Sequence, residues 1–520
     1  MPDAATPMTN SRRPVWLAVG LMIAAAGALA FRLPLLDLRP MHGDEANQAI
    51  KTGKLTDEGV YRYDPRDHHG PTLYYLAALS ARLGGHADFA ETTEFTYRIV
   101  PVVFGVALIL LLWPLREALG AQAALIAGLL LAVSPAFVFY SRYFIQEMLL
   151  VFLTLGLIVS GWRYALRPSI GLAVGVGVCA GLMHATKETC VLAFASMAVA
   201  GVASMPGPRV TGVARIDKRH AAIALGAAVA VSVVLFSSFF TYARGPLDSV
   251  LTYGNYLERA DGAGLHDKPW YYYLGLLAFT QRGPGPMWFS EGAVLLLALA
   301  GAMAIAFRKT AAGNSRFLRF LALYTLFLTL GYSIVPYKTP WSMLSFYCGI
   351  ALLAGVGGAA LLRVPGNRGV RFVVAGGIAA ILGHLGYESW QTSYVYPADP
   401  ANPYVYAHTS TAHMRLVERM EQMAAVAPEG RGLLVAVVQP DRDYWPLPWY
   451  MRKFNHAGYF DALPVGLEPA VIIAAPALGD DLVARFGETH TYEMQGLRPG
   501  VLRVVFIRKD LWEAFMAGRR

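Results

Sequence analysis

Residues 15–46 read VWLAVGLMIAAAGALAFRLPLLDLRPMHGDEA, an apolar run from Val15 to Phe31 that empties into a polar segment ending Met41-His42-Gly43-Asp44-Glu45-Ala46. An uncharged run of this length is just long enough to cross a hydrocarbon core as a helix. Arg12 and Arg13 precede it, the usual start of a secretory leader. No small-residue cleavage site follows, however, and Arg32-Leu33-Pro34 leads straight on, so the run is read as an uncleaved first membrane helix. Two adjacent carboxylates just beyond that helix sit where ionisable groups are costly and usually functional.

The rest of the chain agrees with a membrane reading. It has 520 residues, 55% hydrophobic and 15% charged, with a mean hydropathy of +0.42, too apolar for a soluble protein of this size. A net charge of +9 would suit nucleic acid only if the basic residues shared one soluble face. Here they punctuate apolar runs, so nucleic-acid binding is rejected. The three cysteines, Cys179, Cys190 and Cys348, lie in or beside apolar runs and indicate neither disulfides nor a thiolate metal site.

Eleven apolar runs are long enough to span: 15–36, 97–115, 121–140, 145–162, 169–185, 188–205, 221–241, 287–307, 317–335, 341–362 and 372–390. With the N-terminus inside, the inner segments collect sixteen Lys and Arg, from Arg12 and Arg13 through Arg163, Arg209, Arg215 and Arg316 to Arg371, against only Glu117 and Asp217. This is the charge bias of cytoplasmic loops, and one miscounted span would scramble it. The expected fold is therefore an all-α polytopic bundle over 1–390, in the inner cell membrane with the 37–96 loop outside. Within that loop Pro71–Leu83 is apolar but too short to cross, and is read as an interfacial helix. Trp270-Tyr271-Tyr272-Tyr273 suits an aromatic belt. After Pro397, Pro400 and Pro403, strand-like runs at 433–438, 471–475 and 501–507 and helix-like runs at 413–426 and 482–486 predict an extracytoplasmic α/β domain over 391–520.

Candidate chemistry gathers on the outer side. Asp44 and Glu45 could act as general base and tuning partner, since adjacent carboxylates perturb each other's ionisation. The continuation Tyr63-Asp64-Pro65-Arg66-Asp67-His68-His69-Gly70-Pro71 adds histidines and acids around them, with His42, Asp64 and His68 as supporting groups and His69 as a phosphate contact. No strict ligand spacing assigns a metal site, and a divalent cation stays open as a cofactor. Arg142 and Glu147 lie at the junction of the third and fourth spans, read either as a mutual ion pair or as part of a site. Lys187 and Lys338 defy the positive-inside trend, which makes them candidates for binding an anion.

These motifs together, the Asp-Glu after the first span, Gly70-Pro71-Thr72-Leu73-Tyr74-Tyr75, Ser141-Arg142 with Glu147, and Tyr337-Lys338-Thr339-Pro340-Trp341, resemble the GT-C class of membrane glycosyltransferases, in the protein O-mannosyltransferase and lipid A aminoarabinose transferase group. His42-Gly43-Asp44-Glu45-Ala46, His68-His69-Gly70-Pro71 and Tyr444-Trp445-Pro446-Leu447-Pro448-Trp449-Tyr450 are closest to the flippase-activity-associated family of archaeal-type protein glycosylation. The resemblance implies a polyprenyl-phosphate sugar donor, inversion at the anomeric carbon, an extracytoplasmic acceptor, Asp44 as base with Glu45 beside it, and phosphate contacts from Lys338, Tyr337, Lys187 and Arg142. Relatives often carry Lys-Pro-Pro where this chain has His69-Gly70-Pro71, so a histidine stands in for a phosphate-binding lysine. The rival readings are a lipid-linked-sugar flippase, which would want midplane charges and an inverted repeat that the sequence lacks, and a non-catalytic scaffold of a glycosylation complex.

Overall fold

The structure is a computed structural model that describes residues 14–67, 69–205, 217–260, 266–282, 287–310, 312–364 and 368–518, with backbone only for 256–260. His68, Arg12, Arg13, Arg209 and Arg215 lie outside the described residues. Each of the eleven predicted runs holds an apolar helix. Six helices, Val15–Arg32, Glu147–Leu166, Lys218–Phe236, Ser315–Ile334, Pro340–Leu361 and Arg368–Val395, are long and apolar enough to cross a membrane, and Ala121–Val133 with Pro135–Ser141 makes a seventh, bent by 57°. Three shorter apolar helices, Ile170–His184, Cys190–Ala203 and Gly292–Ala306, pack among them. The chain is a multi-pass membrane protein.

Burial divides the helices into a hub and a rim. Pro340–Leu361 has nearly all of its residues buried, whereas Lys218–Phe236 buries almost none and turns most of its Leu, Val and Ala side chains outward, as a helix facing hydrocarbon does. The hub packs backbone to backbone: a Cβ on Gly357 would lie 1.9 Å from the Leu297 carbonyl oxygen, so glycine there lets Leu344–Leu361 touch Gly292–Ala306. The bend follows from Ser134-Pro135. Proline forces the residue before it out of the helical region, and Ser134 has ψ 125°. The carbonyls freed there are met by Arg32, whose Nη2 donates to Leu131 O at 2.8 Å and Nη1 to Ala132 O at 2.8 Å.

The 37–96 segment is more regular than a loop. Gly43–Glu58 is a helix not expected from the sequence, because its cap is unusual: His42 Nδ1 accepts from Asp44 N at 3.0 Å, while Glu45 Oε2 accepts from His42 N at 3.1 Å. This is a capping box with histidine in the place of serine or threonine. Thr72–Leu83 is the expected short helix, with Pro71 as its N-cap residue.

The C-terminal part carries a five-stranded mixed sheet in the order His456–Phe460, Leu434–Val438, Val471–Ala474, Val501–Arg508, His490–Arg498. The first three strands are parallel, and Val501–Arg508 runs antiparallel to both neighbours. Helices Thr411–Val426 and Lys509–Ala517 cover one face and Gly479–Phe486 the other. That first face shares one apolar core with the Gly43–Glu58 and Thr72–Leu83 helices: Leu416, Trp449 and Ile473 belong to the same buried cluster as Met41, Ala46 and Leu73.

Candidate active site

A cavity of about 330 Å³ lies at the end of the bundle that carries the Gly43–Glu58 helix. One wall is polar, from Asp44, Asn47 and Gln48 of that helix and Arg66, Asp67 and His69 of the segment after it. A second comes from Gln146, Glu147 and Lys187, and a third from Tyr337, Thr339 and Trp341. Leu192 and Val335 make the side nearest the membrane helices apolar. Five of the expected residues, Asp44, His69, Glu147, Lys187 and Tyr337, thus share one space, though they come from four separate stretches of chain.

The expected acid pair separates. Asp44 occupies the first turn of its helix with its side chain 51% exposed, while Glu45, one residue on, is fully buried. Glu45 accepts from Arg98 Nε at 2.8 Å and Nη2 at 2.7 Å, from Arg39 Nη2 at 3.1 Å and from Phe144 N at 2.9 Å. Burial by itself would push its pKa up, but the two guanidiniums hold it well below the usual carboxylate range. In place of the tuning role expected from adjacency, Glu45 locks the helix start onto two other elements. Arg98 completes the lock by donating to the carbonyls of Leu36, Arg39 and Pro40 at 2.5, 2.8 and 3.1 Å.

His42 is also structural. Nε2 lies 3.1 Å from Tyr406 O, and with Nδ1 accepting from Asp44 N the ring is the neutral Nε2–H tautomer. Burial lowers its pKa, with Asp44 opposing. Met41 is clamped from the C-terminal part, its N donating to Tyr450 Oη at 2.8 Å and its carbonyl accepting from Thr409 Oγ1 at 2.7 Å.

Two expected phosphate ligands point elsewhere. Arg142 spends its guanidinium on the end of the first helix, donating to Arg32 O, Pro34 O and Leu35 O at 2.8, 2.6 and 2.7 Å. It therefore caps orphan carbonyls and pairs with no carboxylate among the described residues. Lys338 is 1% exposed and donates to the carbonyls of Lys268, at 3.2 Å, and Val335. It fastens the 266–268 segment to the turn after Ser315–Ile334, while Tyr337 beside it faces the cavity.

Glu147 pairs instead with Lys187. Burial works against the ammonium, yet the carboxylate keeps the Lys187 pKa above its ordinary value. Glu147 Oε2 has no hydrogen-bond partner among the described residues. His69 Nδ1 lies 2.8 Å from Glu188 Oε2, whose other oxygen accepts from Tyr63 Oη at 3.2 Å. The glycine of His69-Gly70-Pro71 makes this contact feasible: a Cβ at Gly70 would lie 2.2 Å from Ala185 O. The approach is held by Thr72 N and Oγ1, which donate to the same oxygen at 3.0 and 2.7 Å.

Asp64 sits outside the cavity on an adjoining charged groove, where it accepts from Arg66 N at 2.9 Å. Arg66 itself was missed, although it was the one arginine between Asp64 and His69. Tyr273, read as part of an aromatic belt, is buried and lines the cavity, whereas Trp270 and Tyr271 are 67% and 55% exposed. Among the described residues no three His, Cys, Asp or Glu side chains gather as metal ligands would.

The family described as dolichyl-phosphate-mannose-protein mannosyltransferase matches residues 68–238, about a third of the chain. No curated protein matches it. Among solved structures, ArnT from Cupriavidus metallidurans bound to undecaprenyl phosphate is similar with a TM-score of 0.60 and 15% identity over 95% of this chain and 98% of that one. Its apo state gives 0.61 and 15% over 95% and 97%. An Archaeoglobus fulgidus oligosaccharyltransferase complex with Zn and sulfate gives 0.49 and 12% over 95% and 76%.

Proposed function

We propose that this chain, whose fold is that of the GT-C membrane glycosyltransferases, transfers a sugar from a polyprenyl-phosphate donor to an extracytoplasmic acceptor with inversion at the anomeric carbon. One observation carries the reading: an exposed carboxylate, Asp44, shares a cavity with Lys187, Arg66 and His69 beneath an apolar wall. A lipid-borne sugar phosphate needs that combination. Its phosphate departs as a stable anion and calls for positive charge rather than a proton, which Lys187 and Arg66 would supply, with the His69 imidazole beside them. Asp44 takes the proton from the acceptor hydroxyl or amine as that atom bonds the anomeric carbon and the carbon–oxygen bond to phosphate breaks. General-base assistance of this kind contributes roughly 10²–10⁴-fold. In this reading the eleven apolar helices all span, the acid-bearing helix faces outward, and residues 391–520 form an extracytoplasmic α/β domain.

The test is purified protein with radiolabelled polyprenyl-phosphate sugars, followed for transfer or for donor hydrolysis. Asp44→Asn should abolish both while leaving the fold intact, and full activity in that variant would remove Asp44 from the mechanism. Movement of intact donor across a bilayer with no turnover would instead favour a flippase.

A further inference from the structure

Three helices, Glu147–Leu166, Cys190–Ala203 and Ser315–Ile334, border the candidate active site at one end through Glu147, Leu192 and Tyr332. At their opposite ends the same three enclose a second cavity, of about 440 Å³, within the roughly 300–1,000 Å³ of small-molecule sites. Its walls are Leu157, Ile158, Phe194 and Phe320, and its polar groups are Arg316, Ser204 and Trp162.

Arg316 is exposed, and its side chain makes no hydrogen bond or ion pair with protein among the described residues, which leaves its guanidinium open to an anion. The Trp162 indole N–H is buried without a partner among them, although its ring packs 5.1 Å from Phe317. A buried donor without an acceptor is uncommon in native proteins. This end of the bundle also carries Arg163, Arg167 and Arg319, of which, among the described residues, only Arg163 is near a carboxylate, Glu117 at 3.8 Å. Basic grooves between membrane helices of this kind attract anionic headgroups.

We propose that the groove holds one anionic phospholipid of the adjacent leaflet, its phosphate against Arg316 and an acyl chain along Leu157, Ile158, Phe194 and Phe320. A polyprenyl tail descending from the active-site end would bring only hydrocarbon to Arg316, whereas a phospholipid brings its guanidinium a phosphate. The inference is independent of the proposed activity.

The test is native mass spectrometry of the delipidated full-length protein titrated with phosphatidylglycerol or with phosphatidylcholine of the same chains. One phosphatidylglycerol should be retained at least fivefold more tightly than phosphatidylcholine, and Arg316→Gln should erase about that fivefold preference, the contribution of one guanidinium near an anionic surface. Gly161→Leu is the second variant. Gly161 lines the groove and a Cβ there meets nothing within 4 Å, so leucine fills the space without strain and should expel the lipid with charge unchanged. Equal retention of both lipids, unchanged phosphatidylglycerol binding in either variant, or displacement by equimolar polyprenyl phosphate would overturn the proposal.

Discussion

Glu45 and Glu147 are both buried acids at the same end of the molecule, both paired with a cation, and they do opposite things. Glu45 meets two guanidiniums and two backbone amides and does not line the cavity that Asp44 enters. Glu147 meets one ammonium, keeps an oxygen unmatched and lines the space that Asp44 enters. A closed ionic cluster fixes geometry, whereas an open one keeps unspent capacity for a ligand. Charge in the sequence marks both, and only the completeness of the partners separates them.

Four experiments press on that contrast. Glu45→Gln should do the most, because it leaves Arg39 and Arg98 buried without their counter-charge. A loss of about 3–5 kcal/mol is expected, read as a collapse in folded yield and melting temperature. Stability close to wild type would mean the cluster is not the anchor described.

Next comes His413, a buried group with no counter-charge among the described residues, whose ring lies 5.6 Å from that of Tyr450. Burial lowers its pKa to about 4, below the ordinary 6.5. The unfolded chain therefore binds a proton there that the folded chain does not, and stability should fall by up to roughly 3 kcal/mol as pH drops from about 6.5 to 4. His413→Gln should flatten the pH dependence of melting across that window, and an unchanged slope would assign the effect to other groups.

Gly70→Ala tests whether the site is held by close packing as much as by charge. The clash with Ala185 should cost about 1–3 kcal/mol and pull His69 from Glu188, visible as weaker donor binding together with a lower melting temperature. Glu147→Gln should be the mildest for folding. It should raise the apparent KM for donor about tenfold while lowering stability far less than Glu45→Gln, and a KM unmoved by the change would put the pair outside the site.

Much of the architecture was readable because it repeats over many residues. Apolar length gave the helices, and the runs at 434–438, 471–474 and 501–508 are strands as expected. His456–Phe460 and His490–Arg498 escaped notice because edge strands are half-exposed and lack a continuous apolar run. The Gly43–Glu58 helix escaped because its mean character is polar and its cap is a histidine. The site was legible as a neighbourhood, but individual roles were not. Whether Arg142 faces a ligand or the carbonyls of residues 32–35 is decided by chain more than a hundred positions away, and Lys338 is turned inward by Lys268 in the same manner. Arg66 carried the right chemistry in plain view, between two residues that were chosen.

The hydrogen bond from Met41 N to Tyr450 Oη joins positions 409 apart. Synthesis reaches Met41 some four hundred residues before Tyr450, so in a nascent chain Arg98 and Arg142 can already hold residues 32–40 while the clamp on Met41 itself is still missing. Such an arrangement divides the aiming of the acid between an early ionic lock and a late clamp: a ribosome that stalls before the terminal sheet leaves an inserted bundle with Glu45 anchored and Met41 loose.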